Sequence, residues 1–190
     1  MSTIYFTLEA MAKLKACVDL ADGEVSGLGK VEQLGKDFLV SEVVLIEQES
    51  SWGSTVLDDE ALAGFLKELI SKGDDPSLWR LWWHSHGWNK PFYSKEDEKT
   101  CKRFDNEWML SIVTSKRGEC IGRIDVYRPI HLCQELPVRV YLHLPEEELA
   151  KLKKELREKV RKPARRWWDW SGRYPYDKKG EGEDHEYRLY

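Results

Sequence analysis

The stretch LWWHSHGWNKPFYSKEDEKT, residues 81–100, carries the strongest structural signal in this sequence. Its apolar start extends the preceding residues into a predicted strand over 77–86, SLWRLWWHSH. On a strand, residues i and i+2 point to the same face, so the imidazoles of His84 and His86 can converge on one metal ion. The same spacing also arises by chance in buried strands, so the pair does not define a site by itself.

A serine and an aspartate follow at a spacing that has two interpretations. Ser94 and Asp97 open a predicted helix over 94–105, and S-x-x-D in front of a helix is typical of a capping box. A carboxylate in the first turn can also face a ligand that lies just beyond the helix start. The two interpretations are compatible, and these residues alone leave both open.

The four residues together form a more specific pattern than either pair. His84, His86, seven residues, Ser94, two residues and Asp97 follow H-x-H-x7-S-x-x-D. In this stretch the chain resembles the JAMM (JAB1/MPN+) metalloproteases, whose signature has the same spacing without a gap.

The resemblance extends upstream and downstream of the motif. The family has a glutamate on the strand after the first helix, and Glu24 begins the strand-like segment 24–33, EVSGLGKVEQ, which is similar to the family pattern E-x-x-G-L. The segment 108–129 is similar to the strand pair that follows the motif in prokaryotic and viral JAB proteins. In all, the resemblance covers about residues 4 to 145.

The resemblance implies an α/β fold of the JAB/MPN (cytidine-deaminase-like) type, with a mixed β-sheet flanked by helices. It implies one Zn²⁺ per chain, held by His84, His86 and Asp97, with the fourth position open for water. Zinc lowers the pKa of such a water from about 15.7 toward about 7. Glu24 is implied as the general base and acid, and Ser94 as a hydrogen-bond donor to the oxygen that gains charge.

The loop after the histidines departs from the family at one position. Members often carry proline directly after the second histidine, where this chain has Gly87, and the difference bears on the shape of the substrate channel. Trp88, Phe92 and Tyr93 follow in the loop. They are predicted either to pack the loop against the body or to line a groove for the extended tail of a substrate.

Composition argues against several classes of protein. The 190 residues are 41% hydrophobic, which is enough for the core of one domain. No run of about 18 apolar residues predicts a membrane span, and the N-terminal residues lack the pattern of a secretion signal. The scattered cysteines form no CxxC pair and predict reduced, mostly buried thiols in a cytoplasmic protein. These cysteines are Cys17, Cys101, Cys120 and Cys133.

Charge divides the chain into an acidic body and a basic arm. Residues 151–190 contain 13 Lys and Arg and 8 Asp and Glu, a net charge of +5, against −9 for residues 1–150. We expect a metalloprotease domain over 1–162 and an aromatic, charged tail over 163–190. The acidic body argues against nucleic acid as a partner. The tail contains tryptophans that are too apolar for water and predict docking on the body or on a partner protein: Trp167, Trp168 and Trp170.

The order of the elements indicates an α/β layer fold. Helices are predicted over 8–22, 58–73, 94–105 and 145–162. Strands are predicted over 3–7, 24–33, 38–48, 77–86, 108–118, 119–129 and 136–144. The second helix is expected to turn six apolar residues inward: Ala61, Leu62, Phe65, Leu66, Leu69 and Ile70.

The function implied by the resemblance is cleavage of a peptide or isopeptide bond after the C-terminal tail of a ubiquitin-like protein. Family members hold that tail as an added strand. One alternative is a non-catalytic MPN scaffold that binds a protein partner, although such scaffolds typically lack the metal ligands. Another is a JAB peptidase with a substrate unrelated to ubiquitin. A zinc nucleoside deaminase needs H-x-E and P-C-x-x-C, and neither occurs in this sequence.

Overall fold

The structure is a computed structural model that describes residues 2–104 and 107–160. The chain divides after Tyr141 into two units, which are described separately below. The expected tail over 163–190, with its tryptophans, lies outside the described residues.

The first unit contains ten strands, three α-helices and one 3-10 helix (Pro76–Leu78) in its described part. The 3-10 helix takes the first residues of the strand predicted over 77–86, which begins only at Leu81. The strands are β1 (Ile4–Phe6), β2 (Ser26–Leu34), β3 (Asp37–Leu45), β4 (Gln48–Ser50), β5 (Thr55–Leu57), β6 (Leu81–Ser85), β7 (Trp108–Thr114), β8 (Cys120–Val126), β9 (Leu132–Leu136) and β10 (Val138–Val140). The helices are α1 (Leu8–Leu20), α2 (Asp59–Lys72) and α3 (Lys95–Arg103).

Eight of these strands form one mixed sheet in the order β10-β1-β3-β2-β6-β7-β8-β9. Strand β1 runs parallel to β3 and β10, β6 runs parallel to β7, and the other neighbours are antiparallel. The two edge strands, β9 and β10, are separated only by Pro137, so the sheet curls until its edges nearly meet. The expected mixed sheet flanked by helices is confirmed.

Because side chains alternate along β2 and β6, their packing shows which residues lie on each face of the sheet. Val25 and Trp83 belong to the main core, into which α1 also packs. Leu28 and Trp82, which are paired across β2 and β6, point to the opposite face and pack with the side chains of α2 and α3. Since His84 lies two residues after Trp82, the histidines share the face that carries α2 and α3.

Helix α1 begins and ends close to its predicted bounds. The hydroxyl of Thr7 accepts a hydrogen bond of 3.1 Å from the backbone N–H of Ala10 and caps the first turn. Ala10, Leu14 and Val18, at a spacing of four, are buried. This spacing gives the helix one apolar face, and that face packs in the main core.

Helix α2 confirms its predicted bounds and all but one of its predicted contacts. The carboxylate of Asp58 caps its start by accepting from Ala61 N–H at 2.7 Å, and Gly73 ends it with φ +78°. Leu69 is buried and four of the other expected residues are partly buried, but Ile70 is 64% exposed. Periodicity identifies the apolar face of a helix but not where the opposing core layer stops.

Three short strands were not predicted. Strands β4 and β5 form a separate two-stranded hairpin over residues 48–57, where the sequence is typical of a polar loop. Strand β9 pairs with β8, yet only Leu136 among its residues is buried. Strands that are polar or exposed on both faces lack the alternation from which a strand is recognised.

The sequence predicts reduced, mostly buried thiols and no membrane-spanning segment. All four cysteines are free thiols; Cys101 is buried, Cys133 is exposed, and the other two are half-buried. The expectation that most are buried is therefore wrong. Within the described ranges, no helix combines the length and apolar character that crossing a membrane requires.

The described part of the second unit contains helix α4 (Glu146–Lys159), which confirms the helix predicted over 145–162. Its surface carries ion pairs between residues three or four apart, such as Lys151 with Glu148 at 2.9 Å. None of the residues of α4 is buried.

Candidate metal centre

The two histidines converge at the end of an interior strand. Every residue of β6 is buried, and the N–H of His86 extends the strand by donating to the carbonyl of Thr114 at 2.9 Å. His84 and His86 therefore project from the same face, as their spacing predicts. Their Nε2 atoms are 3.1 Å apart.

Asp97 joins the histidines and also caps α3. Its Oδ1 is 3.0 Å from Nε2 of His84, and its Oδ2 is 3.4 Å from Nε2 of His86. The same Oδ2 accepts from the N–H of Ser94 at 2.6 Å, while the hydroxyl of Ser94 accepts from the N–H of Asp97 at 3.1 Å. One carboxylate thus closes the capping box and also faces the two histidines.

One ligand atom from each of the three residues lies within 4.8 Å of the other two. Zinc binds nitrogen and oxygen ligands at about 2.0–2.1 Å in a tetrahedron, whose edges are then about 3.3 Å long. The Nε2 atoms are 3.1 Å apart, and each lies 3.0 or 3.4 Å from a different oxygen of Asp97. All three residues are buried, and together they could hold a metal ion.

Burial and hydrogen bonding set the charges of the group. Burial lowers the pKa of His84, against the opposing effect of Asp97, and so favours the neutral imidazole. Burial alone would raise the pKa of Asp97, but hydrogen bonds from His84 and His86 outweigh it and hold that pKa well below its usual range. A neutral imidazole and an ionised carboxylate are the forms that bind metals.

The register of the sheet brings Glu24 to the same place. In the antiparallel pair of β2 and β6, Ser26 lies opposite His84. Glu24 lies two residues before Ser26, and the charges of His86 and Asp97 both act on its carboxyl. The predicted acid–base residue thus lies beside the group of ligands, although it is 60 residues away in sequence.

The backbone and the charge of Glu24 are both constrained. Its N–H donates to the carbonyl of Ser51 at 2.9 Å, and its own carbonyl accepts from the hydroxyl of Ser50 at 2.5 Å. Burial raises the pKa of the Glu24 carboxyl, while His86 lowers it and Asp97 raises it further. A raised pKa brings a carboxyl closer to the range in which it can exchange protons near neutral pH.

A cavity of about 900 Å³ opens beside Glu24. Its lining includes the exposed carboxylates of Asp22 and Glu47 and the side chain of Trp52, which is 84% exposed. The loop of the β4–β5 hairpin contributes to the wall. The space next to Glu24 is therefore open to a large ligand.

Gly87 has a backbone conformation that proline could not adopt. Its φ is +51°, a value that proline, whose φ is fixed near −65°, cannot adopt. The turn that this conformation makes is closed by hydrogen bonds from Asn89 N–H to the His86 carbonyl at 2.9 Å and from Lys116 N–H to the Gly87 carbonyl at 2.7 Å. A different backbone conformation therefore follows the second histidine here.

The three aromatic residues of the loop have different surroundings. The ring of Phe92 lies edge-on to His86 with centroids 4.7 Å apart and is half-exposed. Trp88 is 63% exposed. The hydroxyl of Tyr93 instead donates to the backbone carbonyl of Ser111 at 2.9 Å. The substrate groove predicted for these residues stays a prediction.

A polar cluster missed by the sequence analysis lies next to the centre. We call it the Arg123 cluster; it consists of Tyr93, Glu98, Arg123 and Asp125. Arg123 is 5% exposed, pairs with both carboxylate oxygens of Glu98 and donates from Nε to Asp125 at 2.8 Å. The only sequence signal was R-x-D on a strand, which places two side chains on one face.

Comparisons with known proteins address the fold. No protein-family model matches the sequence, and no curated protein matches it. The solution structure of protein DSY2949 from Desulfitobacterium hafniense is similar, with a TM-score of 0.56 and 17% sequence identity over 76% of this chain and 97% of that chain. A likeness at this level of identity shows a shared fold and carries no activity from one protein to the other.

Proposed function

We propose that the protein is a zinc-dependent peptidase of the JAMM type, with a JAB/MPN fold. Its proposed substrate is the peptide or isopeptide bond after the C-terminal tail of a ubiquitin-like protein. The observation that carries the proposal is the approach of His84, His86 and Asp97 to within 3.0–3.4 Å of one another, with Glu24 two residues before Ser26, which pairs with His84. The H-x-H-x7-S-x-x-D spacing supports the same reaction class.

The residues of the centre have distinct roles in the proposed reaction. A zinc ion held by His84, His86 and Asp97 would supply Lewis acidity and lower the pKa of a bound water toward about 7. Glu24 accepts the proton of the attacking water and delivers it to the leaving amine. The hydroxyl of Ser94 uses a lone pair to cap α3, so its proton can be donated to the scissile carbonyl oxygen as charge develops there.

The cavity beside Glu24 gives the substrate access to the reacting groups. An extended tail could enter as an added strand, which provides affinity through backbone hydrogen bonds. The exposed rings of Trp52, Trp88 and Phe92 offer apolar surface to the protein that carries the tail. In this proposal the substrate is therefore a folded domain with an extended C-terminus.

Zinc content and cleavage test the proposal together. The full chain is loaded with zinc, dialysed and analysed for metal, and then incubated with ubiquitin-like domains fused through their tails to a reporter. We expect one zinc ion per chain and cleavage at the end of the tail. His84→Ala should lose both zinc and cleavage, because two ligands hold the ion far less tightly than three.

Two results would contradict the proposal in different ways. A protein that binds no zinc when folded is not a metallopeptidase, and binding of a partner without cleavage would indicate a scaffold. Cleavage of the tail peptide at the same rate with and without its ubiquitin-like domain would contradict the proposed substrate and leave a peptidase of another specificity.

A further inference from the structure

Helix α3 carries Asp97 but has little apolar packing of its own. Of its nine residues, only Asp97 and Cys101 are buried. A helix that is polar on nearly all sides must be held in place by other contacts. The placement of the Asp97 carboxylate against the histidines therefore depends on polar contacts around the first turn of α3.

Arg123 makes such a contact directly after Asp97. Its guanidinium reaches from β8 to Glu98, with Nη1 paired to Oε1 and Nη2 to Oε2 at 3.0 Å. A two-point bond between guanidinium and carboxylate fixes orientation as well as distance. The N–H of Glu98 also donates to the carbonyl of Ser94 at 3.1 Å, so Arg123 holds the turn that contains the capping box.

Arg123 makes a second contact directly before Ser94. Its guanidinium carbon lies 4.1 Å from the centre of the Tyr93 ring, within the range of a cation–π interaction. The hydroxyl of Tyr93 is bonded to Ser111, which lies opposite Arg123 in the β7–β8 pair. The residue before the capping box and the residue after it are thus held by the same side chain.

We infer that Arg123 is a positioning residue that sets the distance and orientation of the Asp97 carboxylate relative to His84 and His86. The inference rests on the proposed metal centre and adds a residue outside the family motif. Asp125, which is 1% exposed, accepts from Arg123 Nε at 2.8 Å and balances its buried charge. The bond to Asp125 therefore anchors the guanidinium to strand β8, and its two Nη atoms bond Glu98 on α3.

Two variants separate positioning from folding. Glu98→Gln removes the charged two-point bond but leaves Arg123 paired with Asp125, and the Glu98 side chain is 40% exposed, so this variant should fold. Arg123→Lys keeps the charge but cannot bond both oxygens of Glu98 and Asp125 at once. The control is Arg103→Gln, which removes another ion pair of α3, from Nη2 to both carboxylate oxygens of Asp59, at the end of the helix remote from Asp97.

The measurements are the zinc dissociation constant, by competition with a chromogenic chelator, and the melting temperature of the zinc-free protein. Residues that orient metal ligands typically change metal affinity by 10- to 100-fold. We expect Glu98→Gln to weaken zinc binding by about 10-fold or more, Arg123→Lys to do the same, and Arg103→Gln to leave affinity unchanged. With cobalt in place of zinc, the visible spectrum of the first two variants should differ from that of the wild type.

Unchanged zinc affinity in folded Glu98→Gln and Arg123→Lys would overturn the inference. So would an equal loss in Arg103→Gln, because the effect would then reflect the stability of α3 as a whole. A wild-type chain that binds zinc but cleaves no ubiquitin-like fusion would contradict the proposed function alone. A wild-type chain that binds no zinc would contradict both.

Discussion

The indole of Trp82 stacks on the imidazole of His84, with ring centroids 4.4 Å apart and planes inclined by 19°. The Nδ1 atom of His84 is buried and has no hydrogen-bond partner among the described residues. Metal-binding histidines are usually oriented by a hydrogen bond at their second nitrogen. At the proposed metal centre, we expect the stacked indole to orient His84 instead.

Replacing Trp82 should therefore affect both stability and zinc affinity. Trp82 is 3% exposed, and Trp82→Ala should lower the free energy of unfolding by about 3–5 kcal/mol. Trp82→Phe keeps an aromatic face against His84 and should lose less stability and less zinc affinity. Urea unfolding and chelator competition measure the two effects, and wild-type zinc affinity in folded Trp82→Ala would refute this role of the indole.

Glu24→Gln should separate metal binding from catalysis. The amide keeps the shape of the side chain but cannot accept the proton of water, so kcat should fall by about 10²- to 10⁴-fold while zinc content stays the same. Glu42→Gln, on an exposed position of β3, is the matched control and should retain full activity. Near wild-type turnover by Glu24→Gln would show that another group moves the proton.

Gly87→Ala and Gly64→Ala should change the stability of the protein in opposite directions. Neither Gly87 nor Gly64 has an atom within 4 Å of the place where a Cβ would stand, so only backbone preference decides the outcome. Gly87→Ala should destabilise the protein by about 1–2 kcal/mol, because φ is +51°. Gly64→Ala, inside α2, should stabilise it by up to about 1 kcal/mol. Thermal unfolding checks both, and stabilisation by Gly87→Ala would contradict the turn described here.

The thiols should differ in their rates of alkylation. Burial raises the pKa of Cys101 to about 11 and that of Cys120 to about 12. At pH 8 a thiol with a pKa near 11 is about one part in a thousand thiolate, the reactive form. Iodoacetamide followed by mass spectrometry should label exposed Cys133 first, and all four cysteines in urea. Early labelling of Cys101 in the folded protein would contradict its burial.

The raised pKa values of Cys101 and Cys120 also predict how the free energy of unfolding changes in alkaline solution. The unfolded thiols lose their protons near pH 8.5, whereas the folded thiols keep theirs to about 11 and 12. The stabilisation from a proton held more tightly in the folded state is complete below the unfolded pKa and is lost progressively as the pH rises to the folded pKa. Stability should therefore fall as the pH rises from about 8.5 through 11. Replacing both cysteines with alanine should reduce this slope.

The sequence predicts the elements that have a regular apolar pattern. The helix that begins at Leu8 is recovered because its buried residues repeat every four positions. The strand that holds His84 is recovered because it is a short, continuously buried run. Strand β9 is missed because its residues before Leu136 are exposed, so nothing in their order distinguishes a strand from a loop. Ile70 is misassigned because the extent of the opposing layer is a tertiary property.

The sequence predicts some residues around the metal centre and misses others, because some contacts are local in sequence and others depend on tertiary structure. His84, His86, Ser94 and Asp97 lie within one short segment, so their spacing can be matched to a known pattern. Arg123 approaches this segment only through the pairing of β7 with β8 and of β6 with β7. Contacts that depend on sheet order cannot be identified from one sequence by local periodicity.

The glycine at position 27 limits how the centre can be altered. A Cβ there would stand 1.9 Å from the carbonyl oxygen of Val44 and 2.9 Å from the indole of Trp83, so no other residue fits without moving β2. Glu24 lies two residues before β2, while His84 is on β6 and His86 directly follows that strand. Any engineering programme that varies position 27 would therefore shift Glu24 relative to the two histidines before it changed any chemical group.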